Sequence, residues 1–355
     1  MPAVLTSERK RRATERATLP GVTTPSVTVL LPVLNEAATV DACLESLADQ
    51  DYPGRVEIVI ADGGSTDGTL DLVERWKDRL VIRVIDNLRR KQAHGLNMAA
   101  EAANGDILVR ADGHTIYARD YLSRSVDALT SSDAVAVGGR LAPEGTTPFG
   151  RAVAVAMTSP LGIGPGRFHH SNTPEFVDTV YLGSFRRDDL VAIGGFRSFP
   201  SGAVEDADLF YRWRQLGRRV LLDPSIRSVY RPRQTPSSLA RQFLRYGQGK
   251  AEMLHVNGRW PSWRPAAPTA LLLGVIAFMI IGMLGVAWWP LLALLGAWLV
   301  AVAVAATPGA GSFAGWLRAA IAVAIMHWSY GIGLIGGLLR RPSKVRDHVA
   351  VPPLG

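Results

Sequence analysis

The stretch VEIVIADGGSTDGT, residues 56–69, joins a run of β-branched and apolar residues to a turn of glycines and short oxygen-bearing side chains. The apolar run predicts a buried strand, and Gly63 and Gly64 allow the turn to bring its backbone close to a ligand. Asp62 ends the strand, where its carboxylate can accept a hydrogen bond. The string alone also suits a plain turn that leads into a helix N-cap.

Similar strand signals recur on both sides of this stretch, with helical patterns between them. The strand-like runs are residues 27–31, 56–60, 80–85 and 106–109, and the helical patterns are residues 37–47, 69–77 and 93–103. This βαβα order predicts an α/β fold with a mostly parallel, Rossmann-like sheet. Ligands of such sheets bind at the carboxyl ends of the strands.

Composition changes sharply along the chain. The 355 residues carry 39 Lys and Arg against 31 Asp and Glu, a net charge of +8 that suits a nucleic acid, an anionic membrane or a phosphorylated ligand. No charged residue or histidine occurs in residues 266–317. Three apolar runs, near residues 268–289, 290–306 and 319–339, approach the roughly 20 residues that span a bilayer. The sequence therefore predicts a multi-pass membrane protein.

The predicted organisation has five parts: a disordered basic arm (1–25), an α/β catalytic domain (26–236), an amphipathic interfacial segment (237–266), about three membrane helices (267–340) and a basic tail (341–355). The single cysteine excludes an internal disulfide and indicates a reducing compartment for the catalytic domain. With that domain in the cytosol and three full spans, the basic tail would lie outside, against the positive-inside tendency. One apolar run could therefore be re-entrant or interfacial.

A second polar group follows the fourth predicted strand, where Arg110, Asp112 and His114 alternate along the chain. Because the carboxyl ends of parallel strands meet at one sheet edge, Asp112 is expected close to Asp62. A carboxylate with an imidazole can hold a divalent ion against a pyrophosphate, which makes Asp112 and His114 candidate metal ligands. A strand-end aspartate that caps the next helix is the alternative.

Two further groups come later in the chain. Glu205 and Asp206 begin a predicted helix after a glycine-rich loop, a position that favours acids through the helix dipole and that also suits a general base. Gln242 and Arg245 lie on the predicted amphipathic helix. They either face phosphates or sugar hydroxyls or belong to a basic face on the bilayer surface.

Together these residues resemble the inverting glycosyltransferases of family 2, which have a GT-A fold. The resemblance spans roughly residues 27–250 and is carried by Pro32-Val33-Leu34-Asn35-Glu36, the turn at 61–69, and Arg110-Ala111-Asp112-Gly113-His114. Residues 177–187 and 223–227 are further similar to membrane-associated transferases of succinoglycan-type exopolysaccharide assembly. That subgroup extends lipid-linked oligosaccharides.

The resemblance implies a single displacement in which Asp206, with Glu205 beside it, removes a proton from the acceptor hydroxyl as the nucleotide departs. It implies a divalent metal, Mn²⁺ or Mg²⁺, at Asp112 and His114, and a uridine contact at Asp62. The donor would be a UDP-sugar, and the acceptor a lipid-linked glycan at the cytosolic face of the bacterial cytoplasmic membrane. The residues implied in binding the nucleotide sugar are Pro32, Asn35, Glu36, Asp62, Gly64, Asn97, Arg110, Asp112, Gln242 and Arg245.

The sequence departs from the family pattern at three positions. Gly63 replaces the second acid of the usual Asp-Asp pair, Arg110 stands where the metal motif usually begins with Asp, and Tyr246 stands where Trp is usual. These departures bear on base recognition and metal affinity. We expect Arg110 to contact a phosphate of the donor.

Three other functions fit the same residues. The chain could be a processive polysaccharide synthase, although three apolar runs are few to enclose a channel, or it could transfer sugar directly to a polyprenyl phosphate. It could also be a catalytically silent subunit that binds nucleotide sugars, as Gly63 and Arg110 would allow. A nucleic-acid partner is not expected, because no basic stripe interleaved with aromatic residues is present.

Overall fold

The computed structural model describes residues 24–259, 266–308 and 311–340. The predicted basic arm up to residue 23, the basic tail 341–355 and residues 260–265 of the predicted interfacial segment lie outside the described residues.

The described residues form strands and helices that alternate in the first half of the chain. The strands are β1 (Val27–Val33), β2 (Val56–Asp62), β3 (Ile82–Asp86), β4 (Ile107–Arg110), β5 (Thr115–Tyr117), β6 (Ala136–Pro143), β7 (Glu175–Val177), β8 (Tyr181–Arg186) and β9 (Val220–Tyr230). The helices are α1 (Val40–Ala48), α2 (Thr69–Glu74), α3 (Gln92–Glu101), α4 (Tyr121–Thr130), α5 (Pro148–Met157), α6 (Pro160–Ile163), α7 (Arg167–His170), α8 (Arg187–Ala192), α9 (Glu205–Gln215), α10 (Pro236–Asn257), α11 (Ala266–Met283), α12 (Trp289–Ala306) and α13 (Phe313–Leu338).

The nine strands of the described chain form one mixed sheet in the order β3-β2-β1-β4-β8-β6-β9-β5, with β7 paired to β9. The half built from β3, β2, β1 and β4 is parallel, as the βαβα order predicts. In the other half β8 runs antiparallel to both β4 and β6, while β6 and β9 are parallel. The α/β class is confirmed, and the parallel character is confined largely to the first half.

Helices cover both faces of the sheet because its central strands are apolar on both sides. Val29 and Leu31 of β1 pack with Leu44 of α1 on one face. Leu30 points to the other face, where it packs with Leu96 of α3 and Trp213 of α9. The two-residue alternation of a strand thus gives β1 one layer of helices on each side.

The three last helices are long and apolar enough to cross a membrane: α11, α12 and α13. These helices correspond to the three predicted apolar runs, but they begin and end at slightly different residues. Their outer surfaces carry exposed apolar side chains, as expected of helices that face lipid.

The predicted interfacial segment is largely the 22-residue helix α10, which lies along α13. Glycines allow this close approach. A Cβ on Gly247 would collide with the carbonyl oxygen of Tyr330, and a Cβ on Gly333 would collide with that of Leu244. Small residues that bring two backbones together are typical of helix pairs in membrane proteins. The catalytic half is therefore joined to the apolar helices through the α10–α13 pair.

Candidate active site

The turn after β2 is held by Asp62. Its carboxylate accepts hydrogen bonds from the backbone N–H of Gly64 at 2.9 Å and of Ser65 at 3.0 Å, and from Ser65 Oγ at 2.6 Å. Asp62 is buried. The turn-forming alternative recognised in the sequence is thus realised, and the contact of Asp62 with uridine stays a prediction.

The loops after β1 and β2 are joined by hydrogen bonds. Asn35 N–H donates to Ser65 Oγ at 2.9 Å, its Oδ1 accepts from Thr66 N–H at 2.9 Å, and Glu36 N–H donates to Thr69 Oγ1 at 2.9 Å. Gly64 has a φ of 78°, which only glycine adopts at low cost. The structure therefore brings the predicted Asn35, Glu36 and Gly64 into one rigid rim, next to Pro32 at the end of β1.

Asn97 has a different role from the predicted nucleotide contact. Its Nδ2 donates to the carbonyl of Phe196 at 2.8 Å, and its Oδ1 accepts from Phe196 N–H at 2.8 Å. The side chain is buried, and both polar atoms serve the backbone. Asn97 therefore fixes the loop that leads toward α9, and we expect any effect on the donor to be indirect.

Asp112 lies at the carboxyl edge of the sheet beyond β4. Strand β1 separates β4 from β2, so Asp112 and Asp62 belong to strands about 10 Å apart. Oδ1 of Asp112 accepts from Gln92 Nε2 at 3.1 Å. The topology puts both acids at the same carboxyl edge of the sheet, and a closer approach of the two stays a prediction.

His114 contacts Glu36, an acid outside the predicted metal-ligand pair of Asp112 and His114. Its Nδ1 lies 3.2 Å from Glu36 Oε1, and its ring lies edge-on to Tyr230. Burial alone would lower the pKa of His114, but the hydrogen bond to Glu36 and the charge of Asp112 raise it. A role of His114 as metal ligand stays a prediction.

Arg110 is the centre of the site. Its Nε lies 3.6 Å from Asp112 Oδ1, its Nη2 lies 3.2 Å from Glu205 Oε1, and its Nη1 lies 3.6 Å from Asp206 Oδ2. The guanidinium is buried, and its Nε and Nη1 make no hydrogen bond within the described residues. Arg110 therefore joins the candidate metal acid to the candidate base. The phosphate contact expected of it stays a prediction, since its observed partners are carboxylates.

The three acids at the start of α9 differ in accessibility. The side chain of Asp206 is 36% exposed, against 7% for Glu205 and 0% for Asp208. Asp208 is used internally, since Arg212 Nε donates to it at 2.9 Å. Asp206 is therefore the most accessible acid of this group.

Burial and charge set the protonation of the cluster. Burial raises the pKa of Glu205 to about 7; the charge of Arg110 opposes this shift and that of Asp206 adds to it. Burial disfavours a charged Arg110, but Asp112, Glu205 and Asp206 together raise its pKa. Arg110 thus remains a cation that faces three carboxyl groups, and burial holds Glu205 toward its neutral form.

Replacing Glu205 with Gln should flatten the dependence of stability on pH. The folded-state pKa of Glu205 lies above its ordinary value, so folding favours the protonated acid. Stability is then lost as pH rises from about 4.5 to about 7, by on the order of 1.4 kcal/mol for each pKa unit. Melting temperatures of both proteins at pH 5 to 8 in detergent test this. Glu74→Gln, at an exposed acid, is the control; parallel curves for wild type and Glu205→Gln would refute the assignment.

The loop before Glu205 is held by α10. Ser201 donates to the Glu252 carboxylate from its N–H at 3.1 Å and from its Oγ at 2.6 Å. A Cβ on Gly249 would lie 2.9 Å from the methyl groups of Val204. Val204 has a φ of 68°, a strained backbone for a β-branched residue. Helix α10, which packs on α13, thus also fixes the loop that precedes Glu205 and Asp206.

Replacing Glu252 with Ala should lower kcat by about tenfold to a hundredfold, because small displacements of a catalytic group have effects of this size. Donor affinity should be unchanged, since the rim at Asn35 and Gly64 is on separate loops. Ser201→Ala keeps the backbone N–H bond to Glu252 and should lower kcat less, and the double variant should be no worse than Glu252→Ala. Additive losses would show that the two side chains act independently.

The two predicted residues of α10, Gln242 and Arg245, have different surroundings. Gln242 Nε2 donates to the hydroxyls of Tyr230 at 3.1 Å and of Tyr246 at 3.0 Å. Arg245 is exposed. Gln242, Tyr246 and Lys250 follow at intervals of four and therefore share one face of α10. Burial lowers the pKa of the Lys250 ammonium, and the charge of Asp206 opposes this shift.

Sequence reasoning missed several residues around the acids. They are Gln92, Tyr181, Tyr230, Ser201 and Glu252. Tyr181 shows why, because its hydroxyl lies 2.7 Å from Thr115 Oγ1, on a strand that is distant in sequence and is not its neighbour in the sheet. The four-residue spacing from Gln242 through Tyr246 marks Lys250, whereas no local pattern in the sequence marks the five residues named above.

A cation at this site would have one main protein ligand. Within the described residues, no group of three or more His, Cys, Asp or Glu side chains converges as a metal site. Asp112 nevertheless presents a carboxylate at the sheet edge. This arrangement fits a divalent ion that is held by one protein carboxylate and by the phosphates of a substrate.

Comparison with known proteins agrees with this geometry. Residues 28–194 match Glycosyl transferase family 2. The chain is 32% identical over 335 residues to the succinoglycan biosynthesis protein ExoA of Rhizobium meliloti (strain 1021), covering 90% of this chain and 96% of that protein. It is also 25% identical over 239 residues to the dolichyl N-acetyl-alpha-D-glucosaminyl phosphate 3-beta-D-2,3-diacetamido-2,3-dideoxy-beta-D-glucuronosyltransferase of Methanococcus voltae, covering 64% and 74%.

The fold matches that of a solved glycosyltransferase. The mannosyltransferase PcManGT from Pyrobaculum calidifontis, solved in complex with GDP-Man and Mn²⁺, superposes with a TM-score of 0.57 at 24% identity, over 91% of this chain and 93% of that one. The mixed sheet with helices on both faces is therefore of the GT-A kind. From the extent of the match to ExoA, together with the matched domain, the chain belongs to glycosyltransferase family 2 and is a transferase.

Proposed function

We propose that the protein transfers a hexose, with glucose expected, from a UDP-sugar to a lipid-linked oligosaccharide and inverts the anomeric configuration. The observation that carries this proposal is the Arg110 cluster. Arg110 joins two carboxylates. One is Asp112, at the carboxyl edge where ligands of α/β sheets bind, and the other is the accessible carboxylate of Asp206.

The donor is assigned to the rim made by the loops after β1 and β2. Asn35, Glu36 and Gly64 lie in this rim, and Asp62 fixes its backbone. Asp112 would hold a divalent ion, Mn²⁺ or Mg²⁺, against the diphosphate. Such an ion supplies charge neutralisation for the leaving nucleotide. The solved mannosyltransferase of similar fold contains Mn²⁺ with its nucleotide sugar, which supports a metal here.

Asp206 acts as general base in the proposed reaction. Its Oδ2 faces Arg110, and its Oδ1 accepts from the N–H of Ala207 at 2.6 Å. As a carboxylate, Asp206 accepts the proton of the acceptor hydroxyl. The hydroxyl oxygen then attacks the anomeric carbon, and the bond to the nucleotide phosphate breaks on the opposite face. Glu205 anchors Arg110 from the buried side.

A lipid-linked acceptor is supported by the position of the apolar helices. Helix α10 forms one wall of the site and packs on α13, one of the three helices that could cross a membrane. An acceptor anchored in the bilayer is thereby brought to Asp206. The match to ExoA, a succinoglycan biosynthesis protein, and to a transferase named for a dolichyl phosphate acceptor supports the same class. We place the catalytic domain on the cytosolic side of the bacterial cytoplasmic membrane.

The experiment is acceptor-dependent UDP release by the purified protein in lipid vesicles. UDP-glucose, Mn²⁺ or Mg²⁺ and a bacterial lipid extract are supplied, beside an Asp206→Asn control. Release that requires the extract and is lost in the control supports the transferase. Binding of UDP-glucose without release, when extracts from several exopolysaccharide producers are supplied, would favour a subunit that only binds nucleotide sugars.

A further inference from the structure

The segment between β6 and β7 packs against the apolar helices rather than against the sheet alone. Helices α5 and α6 both contact α12 and α13. The contact is apolar, and its buried members include Val153, Ala156, Met157, Val302, Ala305, Ala322 and Met326. A part of the catalytic half therefore shares one core with two candidate membrane spans.

A chain of hydrogen bonds fixes the tip of this segment. Nε2 of His327 on α13 lies 3.1 Å from the carbonyl oxygen of Gly162 on α6. Trp298 Nε1 on α12 donates to Nδ1 of the same imidazole at 3.2 Å. Because Nδ1 accepts this bond, Nε2 carries the proton and donates to Gly162.

The two anchoring side chains lie at the middle of their helices. Trp298 is central in the 18-residue helix α12, and His327 is central in the 26-residue helix α13. At about 1.5 Å of rise per residue, the middle of α12 lies roughly 13 Å from either end. Gly162 contacts the centre of α13, and the same imidazole is bonded to the centre of α12, so the tip of the segment cannot remain at the membrane surface when these helices span the bilayer.

We propose that residues 148–163 form a re-entrant element that enters the bilayer and presents its outer side to lipid acyl chains. This inference rests on the proposed membrane insertion of α12 and α13. The occupant of the exposed side is the bilayer itself, because the buried side of the segment packs on α12 and α13, two candidate spans whose other faces carry exposed apolar side chains.

The chemistry of the segment suits this environment. Its sequence, PFGRAVAVAMTSPLGI, contains one charged residue, Arg151, which lies in the first turn of α5, far from the tip. At the tip Pro160 and Leu161 are exposed. Irregular backbone at membrane depth requires protein partners for its polar groups. His327 supplies such a partner to the carbonyl of Gly162. This contact explains why an ionisable residue lies inside an apolar helix.

Site-directed labelling tests the proposal on the full chain in vesicles. The single native cysteine, Cys43, is fully buried, so wild type provides the labelling blank. A nitrobenzoxadiazole label is placed at Leu161→Cys and, as a second tip position, at Pro160→Cys. Matched controls are Leu299→Cys on α12 and Leu88→Cys on the loop after β3, at residues 58% and 89% exposed. Quenching by nitroxide lipids is compared with quenching by aqueous iodide.

The tip labels are expected to follow Leu299→Cys, with strong quenching by the lipid nitroxide, weak quenching by iodide and blue-shifted emission. Leu88→Cys should show the reverse. Tip labels that follow Leu88→Cys while Leu299→Cys is lipid-quenched would overturn the re-entrant element and leave the membrane spans intact. Iodide access at Leu299→Cys as well would overturn the proposed membrane insertion and the inference with it.

Discussion

Replacing Asp206 with Asn should lower kcat by about two to four orders of magnitude, the usual contribution of a positioned general base. The amide keeps the size of the side chain but cannot accept the hydroxyl proton. Donor affinity should change little, because the proposed donor rim is formed by other loops. Steady-state rates with a saturating lipid-linked acceptor, together with donor titrations, measure both quantities.

The control for this variant is Asp188→Asn. Asp188 is an exposed acid in the first turn of α8, at the opposite edge of the sheet, so its loss removes a comparable interaction with a helix dipole. Full activity in Asp188→Asn assigns the loss in Asp206→Asn to chemistry. Activity of Asp206→Asn within a few-fold of wild type would show that another group takes the proton.

Replacing Arg110 with Met should abolish activity and destabilise the fold. The substitution leaves Asp112, Glu205 and Asp206 facing one another without their shared cation. Removing one partner of a buried ion pair costs about 3–5 kcal/mol. Because the remaining acids repel one another when ionised, the loss should be smallest at low pH and should grow as pH rises. Thermal unfolding at several pH values measures this.

A second substitution distinguishes charge balance from a loss of packing. In Arg110→Met with Glu205→Gln, one buried acid is neutralised, so part of the stability at neutral pH should return. A double variant as unstable as Arg110→Met would show that the guanidinium acts by filling space. Arg110→Lys should restore stability only in part, because one ammonium cannot face three carboxylates in the way that the planar guanidinium does.

The parallel half of the sheet is predictable because its signals are local. Strand β2 is a largely β-branched run that is followed directly by two glycines, and each neighbouring strand is followed by a helix of ordinary length. Strands that are buried on both faces need continuous apolar runs. Such runs, with the glycines and polar residues that follow them, can be recognised in the sequence. The three-residue strands β5 and β7 carry no such pattern, and both pair with β9 far along the chain. Their places depend on tertiary packing.

The candidate site divides in the same way. Asp62, Asp112 and Asp206 can each be found from a turn, a strand end or a helix start. Their connection through Arg110 cannot, since Arg110 and Asp206 are distant in sequence and meet only through the order of the strands. Asn97 shows that a motif can also suggest a contact with a ligand where the structure shows a contact with the backbone. Its position in a motif indicated a ligand contact, whereas a buried amide that bonds both ways to Phe196 is explained by the fold.

The membrane-associated part was predictable in outline from composition. The charge-free stretch indicates apolar helices without any reference to structure, and their number agrees with the described helices that are long enough to span. The packing of α5 and α6 against them was not predictable. Helix α5 is only 10 residues long and lies within the catalytic half, so neither length nor position separates it from an ordinary core helix.

The most direct test of the proposed chemistry is the anomeric configuration of the bond that the enzyme makes. The wild-type protein in vesicles is given ¹³C-labelled UDP-glucose, which is α-linked, and the lipid-linked acceptor. The product is then examined by the one-bond carbon–proton coupling at the transferred sugar. A single displacement assisted by Asp206 predicts a β linkage. An α linkage would contradict it, because retention requires a different arrangement of groups from the single accessible acid that Arg110 holds.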